Sequence, residues 1–529
     1  MRPRPVAVAL ALALAVSVPA LAACGNGSDT PGGEPAAASA DTGAPQSGGS
    51  ITFGVANETS GLDPTVSAAV GAAGASELAA IYDVVLRYDP EKKTYENGTA
   101  QELTHNADYT EWTLRLKPGI TFSDGTAYDA DAVRQSIERH RAPKSRSLAR
   151  DYVQMIDQMT VVDPLTLRFS LVSAWTGFPY LLTTQAGFIT SPTAVQKLGE
   201  KLNTNPAGAG AGPFVLDSYT PKDSIVLTRN PNYWDGPVYL ESLKFVHFQG
   251  GALTYEAFRS GQIQAGFLRE AAASHDAGEA EEPGYVATLG AGDLLAINSA
   301  EGHPGHDRRV RQALAAAIDP KVLSTRVYDG KAVPSSSPFP GGFPWGPGVP
   351  GTTYDLAKAT SLVAAAKADG WDGRIELLAS SAPLAVKWAL TVEALLEQAG
   401  FQVDVRQVDP SALTTAIFVN REFDIAQSAF GIPSSDGAFV QLQENIGHDD
   451  NRFGFHDDAF SAALAEVQVA ETDAERTAAY RKLATAWNDS VPGVATASIN
   501  SRVIWVSNLH DVRPTSQVAV LFGKAWLSR

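Results

Sequence analysis

Cysteine is almost missing. The 529 residues hold one, at position 24, so the chain can close no disulfide within itself and can build no site from several thiolates. Basic residues are also in short supply, 41 Lys and Arg against 58 Asp and Glu, for a formal charge of −17 at pH 7. No Lys/Arg cluster stands out to neutralise a phosphate backbone, which excludes nucleic acid as a partner. One apolar run, residues 6–18, is too short to span a bilayer comfortably. Catalytic signatures are absent as well: there is no G-x-S-x-G, no H-E-x-x-H, no Cys-His pair and no EF-hand loop. The glycine-rich stretch Gly208-Ala-Gly-Ala-Gly212 runs into Pro213 and is followed by no Lys-Ser or Lys-Thr, so it is not read as a nucleotide loop. His303-Pro-Gly-His306 is read as a solvated loop, and the group His448, Asp449, Asp450 and His456 as polar side chains of an exposed loop rather than nickel or zinc ligands. No metal and no cofactor is assigned.

What is present begins with length, since 529 residues exceed a single core of usual size and imply two or more lobes. Arg2 and Arg4 ahead of the apolar run give a secretory signal peptide over residues 1–23. The run ends in Leu21-Ala-Ala-Cys24, which resembles a bacterial lipobox, and Cys24 is the sole cysteine. The reading is a lipid anchor on Cys24 that holds the protein at the outer face of the cell membrane, because one acyl chain alone binds marginally and several bind stably. Residues 24–49 are Gly, Ser, Ala, Pro and Thr with few large apolar side chains, which makes them a flexible tether.

Folded sequence is expected from Ser50. Trp112-Thr-Leu-Arg-Leu116 alternates as a half-buried strand, Lys117-Pro-Gly119 turns it, and Asp129 is placed to cap a helix bearing Val133 and Ile137. Residues 161–171 read as a hairpin turning at Asp163-Pro164, and residues 208–216 and 224–234 as a second strand pair. The stretch 294–319 hands one lobe over to the next: a short apolar strand Leu294-Leu-Ala-Ile297, a polar loop, a helix capped by Asp307, and a second helix with Asp319 as cap and Pro320 at its first position. Beyond it, helices to 369, at 384–398 and at 411–419 alternate with strands at 374–379, 401–408 and 423–428. That order predicts a parallel sheet whose ligand lies at the carboxyl ends of its strands, at residues 380–384 and 429–439. Residues 491–499 cross back to the first lobe, and two short crossings imply a hinge.

Several of these strings resemble family 5 solute-binding proteins of ABC importers, the dipeptide, oligopeptide and nickel binders. They are the strand, Pro-Gly turn and Phe122-Ser-Asp-Gly125 ahead of a helix; Gly212-Pro-Phe214; Arg229-Asn-Pro-Asn-Tyr-Trp234; and Asp307-Arg-Arg-Val-Arg-Gln-Ala313 with Ala317-Ile-Asp319. The resemblance implies an α/β, two-lobe periplasmic-binding-protein-like fold, type II and cluster C, with a hinge. The first lobe would take residues 50–293 and 500–529, with an inserted subdomain at about 75–200, and the second residues 294–499. It implies a binding protein rather than an enzyme, acting as a monomer, which delivers a peptide or other small solute to an ABC permease and its ATPase subunits. Nickel chelate, a sugar or another small solute is the alternative ligand, and an exported enzyme without a recognisable motif the alternative of another class. The loop Ala429-Phe-Gly-Ile-Pro-Ser-Ser-Asp436 matches the place where the family's peptide binders set an aromatic and an aspartate toward the ligand's amino group. Phe430, Gly431 and Asp436 are therefore the candidate contacts, with Glu58 and Thr59 from the first lobe. Asp436 before Gly437 reads equally well as the start of a turn.

Overall fold

Trp112, Leu114 and Leu116 do share one buried face of the strand Glu111–Leu116, and the strand sits inside a four-stranded antiparallel sheet. Its neighbours are Ala100–His105 and Thr166–Leu171, the latter pairing in turn with Ile156–Asp163. The helix Ala130–Arg141 packs on this sheet, its first turn capped by the Asp129 side chain, which accepts from the Ala132 N–H. The computed structural model describes residues 43–143, 145–515 and 519–529. The signal-peptide segment, Cys24 and most of the tether lie outside the described residues. No helix among those described is long and apolar enough to cross a membrane.

A mixed sheet of eleven strands runs through both lobes. At its centre Gly284–Ile297 and Gly493–Trp505 lie antiparallel. Ala265–Leu268, Ser50–Val55, Ser242–His247, Ser224–Arg229 and Phe214–Thr220 extend it on the first-lobe side. On the second-lobe side stand Ile425–Ser428, Arg374–Ser380 and Gln402–Val408, the last two parallel to each other and Arg374–Ser380 parallel to Ile425–Ser428 as well. The parallel βαβαβ order expected of the second lobe is present.

The crossings differ from the sequence reading. They are not short connections: strands of 14 and 13 residues run from one lobe into the other as a paired ladder. Only the apolar end of the first was visible in the sequence, because Gly290, Gly292 and Asp293 interrupt its pattern. The ladder shifts register at those residues, between Leu289 and Asp293 and again between Asp293 and Leu294, and Ala291 takes a left-handed φ of 42°. A break of this kind adds local twist and bends the ribbon. The helix expected over 411–419 is also divided, into Pro410–Thr415 and a π-turn at Ala416–Asn420.

Of five apolar clusters among the described residues, three are large. Phe53, Phe245 and Phe522 meet edge-on in the first lobe, with ring centroids 5.7 to 6.5 Å apart. Leu295, Leu314, Leu377, Trp388 and Ile425 form the second-lobe core, with the two helices capped by Asp307 and Asp319 packed alongside. The third core joins Trp112, Phe169, Trp175 and Phe178, on and beside the four-stranded sheet, to Phe439 and Trp487. The glycines at 210 and 212 have a packing reason. A Cβ on either would stand within 2.4 Å of the Ile81 or Ala80 carbonyl oxygen, where the helix Ala75–Tyr82 passes.

Candidate ligand-binding site

A cavity of about 520 Å³ opens where the crossing strands lose register. That lies within the roughly 300–1,000 Å³ usual for small-ligand sites. Leu289, Gly292, Asp293, Ile499 and Ser501 of the crossing pair form its floor, and the first lobe contributes Arg269, Glu270 and Ala271. The second lobe contributes Leu384, the turn residues Leu413, Thr414, Ile417 and Phe418, and the strand end Gln427, Ser428, Ala429 and Gly431. These include the carboxyl ends of parallel strands, as the alternating order predicts. The π-turn brings Ile417 and Phe418 to the wall, a use such turns often have at functional sites.

Asp293 is the buried acid of the floor. Its Oδ2 accepts from the Tyr328 hydroxyl at 2.7 Å and from Trp388 Nε1 at 2.9 Å. Burial pushes its carboxyl up, against the pull of the Tyr328 hydroxyl. A second cavity, of about 720 Å³, is lined by residues such as Tyr152 and Met155 on one side and Phe439 and Glu444 on the other, and shares Phe418 with the first. Its walls pair internally: Tyr152 donates to Glu444 at 2.7 Å, Arg452 approaches Glu444 at 3.3 Å, and Arg421 meets Asp450 at 2.9 Å.

The residues singled out in the sequence are not brought together. Gly431 lines the 520 Å³ cavity with φ 65°, and a Cβ there would meet nothing within 4 Å. Phe430, its neighbour, turns away into the core, its ring centroid 5.4 Å from that of Phe453 and 6.1 Å from that of Trp487. Glu58 and Thr59 sit elsewhere in the first lobe. They line a small cavity of about 20 Å³ beside Glu77, where Glu58 accepts from the Lys222 N–H and Thr59 bonds to Gly61 and Ser67. Asp436 is buried, and both its oxygens are engaged: Arg476 Nη1 lies 2.8 Å from Oδ1, and the Tyr95 hydroxyl donates to Oδ2 at 2.6 Å. It is neither an open acceptor nor a surface turn. The loop His303-Pro-Gly-His306, read as solvated, leaves His306 exposed and His303 half-buried, with His303 Nδ1 at 2.9 Å from Asp424 Oδ1 and His306 Nδ1 at 3.1 Å from the Ser299 carbonyl oxygen. Among the described residues no group of three or more His, Cys, Asp or Glu side chains is placed to hold a metal ion.

Contacts between the lobes lie away from the 520 Å³ cavity, toward the 720 Å³ one, which Phe439 lines. Besides Tyr95 and Asp436, the Thr176 hydroxyl donates to the Ala470 carbonyl at 2.9 Å, and Trp175 meets Phe439 with ring centroids 6.2 Å apart. Sequence reasoning missed Arg269, Tyr328, Gln427 and the turn at Leu413–Phe418. Arg269 follows the apolar strand Ala265–Leu268 at once, and that strand end was the available signal.

The two lobes, the paired crossing strands and the cavity between them match a known pattern. The family model described as bacterial extracellular solute-binding proteins, family 5 Middle, matches residues 94–443. The chain belongs to this family. Among relatives of the family 5 chain, the glutathione-binding protein GsiB of Pectobacterium atrosepticum is 26% identical over 287 residues, 53% of this chain and 54% of the relative. The chain thus spans about half the length of the relatives it matches. Two solved structures share its fold. The binding protein AgaA from A. tumefaciens R10, in complex with agropinic acid, superposes with TM-score 0.75 at 20% identity, over 91% of this chain and 99% of AgaA. The oligopeptide-binding protein AppA from Bacillus subtilis, in complex with a nonapeptide, superposes with TM-score 0.74 at 17% identity, over 92% of this chain and all of AppA. Both of these structures are of binding proteins, and the matching family model is described as solute-binding.

Proposed function

We propose that this family 5 protein is the lipid-anchored solute-binding component of an ABC importer, capturing dipeptides or oligopeptides between its lobes and delivering them to a membrane permease. The carrying observation is the cavity of about 520 Å³ at the register break of the crossing strands, lined by residues from both sides of that break. A solute held there is buried from two sides, and its contacts to both lobes favour the closed arrangement over the open one. The bend at residues 289–294 is the proposed hinge, dividing a first lobe of residues 50–293 and 500–529 from a second of residues 294–499. Closure would alter the surface offered to the permease, and Cys24 with the tether would keep the protein within reach of it. A peptide ligand is supported by the peptide complex of AppA and by the glutathione named for GsiB.

The test is native mass spectrometry of protein purified without denaturation. A bound mass that fragments as a peptide is the expected result. A metal chelate or sugar acid in its place would keep the importer reading and change the ligand. An empty protein that shows no thermal shift with any solute of a broad panel would overturn the reading.

A further inference from the structure

We propose that Arg269 receives an acidic group of the captured solute, which makes the ligand of this cavity a carboxylate-bearing molecule. The inference rests on the solute-binding reading and specifies the chemistry of that same site. Arg269 stands at the end of the first-lobe strand Ala265–Leu268, lines the cavity and is exposed to it. It has no hydrogen-bond or ion-pair partner among the described residues, in a chain where 58 acidic side chains are available to 41 basic ones. Two acids share the cavity wall, Glu270 engaged through one oxygen and Asp293 buried. The Glu270 carboxylate accepts the Gly251 N–H at the start of the helix Gly251–Arg259, and Asp293 accepts from Tyr328 and Trp388. Neither answers the guanidinium. A second observation points the same way. The helix Ala271–Glu279 begins on this wall, and Glu270, in its N-cap position, makes no side-chain capping bond to it, so its first N–H groups are open to an acceptor. A guanidinium beside a helix N-terminus attracts a carboxylate through charge, dipole and donors together.

The geometry also suits closure. While the lobes are apart, water solvates Arg269 and its lack of a partner costs little. Once the second lobe covers the cavity that water thins out, and an unpaired charge becomes expensive unless the solute neutralises it. A solute with a carboxylate aimed at Arg269 is thus favoured specifically in the closed state, and a neutral isostere is not.

The experiment uses purified protein, stripped of bound solute by unfolding and refolding, and titrated calorimetrically with matched pairs. Trialanine is compared with trialanine amide, and the acids of a panel of short peptides and aldonic acids with their neutral amides. The expected result is that the acid of at least one pair binds about ten- to a hundredfold tighter than its amide. Arg269→Gln should remove that preference without changing the melting temperature, because Arg269 holds nothing else in place. Arg269→Lys should restore part of it, since a lysine keeps the charge and loses the planar fork. Equal binding of acid and amide by wild type, or a preference that survives in Arg269→Gln, would overturn the assignment and leave the solute-binding reading standing. Binding of neutral or cationic members alone would overturn it in the same way, and no binding across the whole panel would count against both.

Discussion

The Tyr95 hydroxyl donates to Asp436 Oδ2 at 2.6 Å, tying the short strand Thr94–Asn97 of the first lobe to the loop that follows Ile425–Ser428 in the second. Burial and the neighbouring Asp436 charge hold the Tyr95 proton firmly. A hydrogen bond to a charged group contributes about 1.5–3 kcal/mol net. Since its partners come from different lobes, this one contributes to closure in particular. Tyr95→Phe is expected to weaken solute affinity by about ten- to a hundredfold and to enlarge the radius of gyration in solution scattering. An unchanged dissociation constant would show that the bond plays no part in closing the lobes.

Asp436→Asn is expected to act on stability first. Arg476 is itself largely buried, stacked 4.7 Å over the Trp345 ring, and loses its ion pair with Asp436 in the variant. Burial pushes the Asp436 carboxyl up while Arg476 and Tyr95 pull it down, so the charged pair depends on both partners. Breaking such a pair typically costs about 3–5 kcal/mol, readable in a urea or thermal unfolding curve. A carboxylate engaged in this way has no oxygen free for a ligand ammonium. A binding peptide and its N-acetylated form should therefore lose affinity equally in the variant. A selective loss for the free peptide would return Asp436 to the ligand.

What the sequence made legible was local. The caps at Asp129, Asp307 and Asp319 each accept a backbone N–H of their own helix, as three- or two-residue spacing allows. The alternation at Trp112–Leu116 and the alternating order of the second lobe are local as well. What stayed hidden depends on partners far along the chain. Asp436 finds Arg476 forty residues away and Tyr95 more than three hundred away. The ladder between Gly284 and Ile504 likewise joins segments with no local sign of each other. Arg269 reads as one more solvated arginine until the fold places a cavity beside it.

Glu77 supplies a pH test. It is buried, its Oε1 has no hydrogen-bond partner among the described residues, and desolvation pushes its carboxyl from 4.5 up to about 7, against backbone hydrogen bonds at Glu77 and Gly74. Since the folded state holds this proton more tightly than the unfolded one, stability is full below about pH 4.5 and falls as pH rises through about 7. The loss amounts to roughly 3 kcal/mol. Glu77→Gln should remove that slope, so that the difference in unfolding free energy between variant and wild type grows between pH 5 and pH 8. Parallel pH profiles would mean that the carboxyl is charged throughout.

Replacement of Cys24 by serine tests the anchor. Cys24 is the one thiol of the chain, and it follows Leu21-Ala-Ala. Without it no acyl chains can be attached, and the protein should move from the membrane fraction to the soluble one. Retention on membranes after a high-salt wash would refute lipid anchoring at this residue.

Phe430 and Gly431 are adjacent, yet they should fail in opposite ways. Phe430 packs against Phe453 and Trp487, and cutting its ring back to a methyl leaves a hole in that core. Phe430→Ala should cost about 3–5 kcal/mol in unfolding free energy and leave the affinity of the folded fraction unchanged. Gly431 contributes nothing to packing, but its φ of 65° strains any residue with a Cβ, by about 1–2 kcal/mol. In Gly431→Ala the added methyl meets no atom within 4 Å and stands in the cavity, where it takes space from the solute. A small loss of stability with a clear loss of affinity is therefore expected. Calorimetric titration alongside chemical unfolding separates the two effects. If Phe430→Ala lost affinity at full stability, the ring would have to turn out of the core to meet the ligand, and the loop would close on the solute in a different conformation.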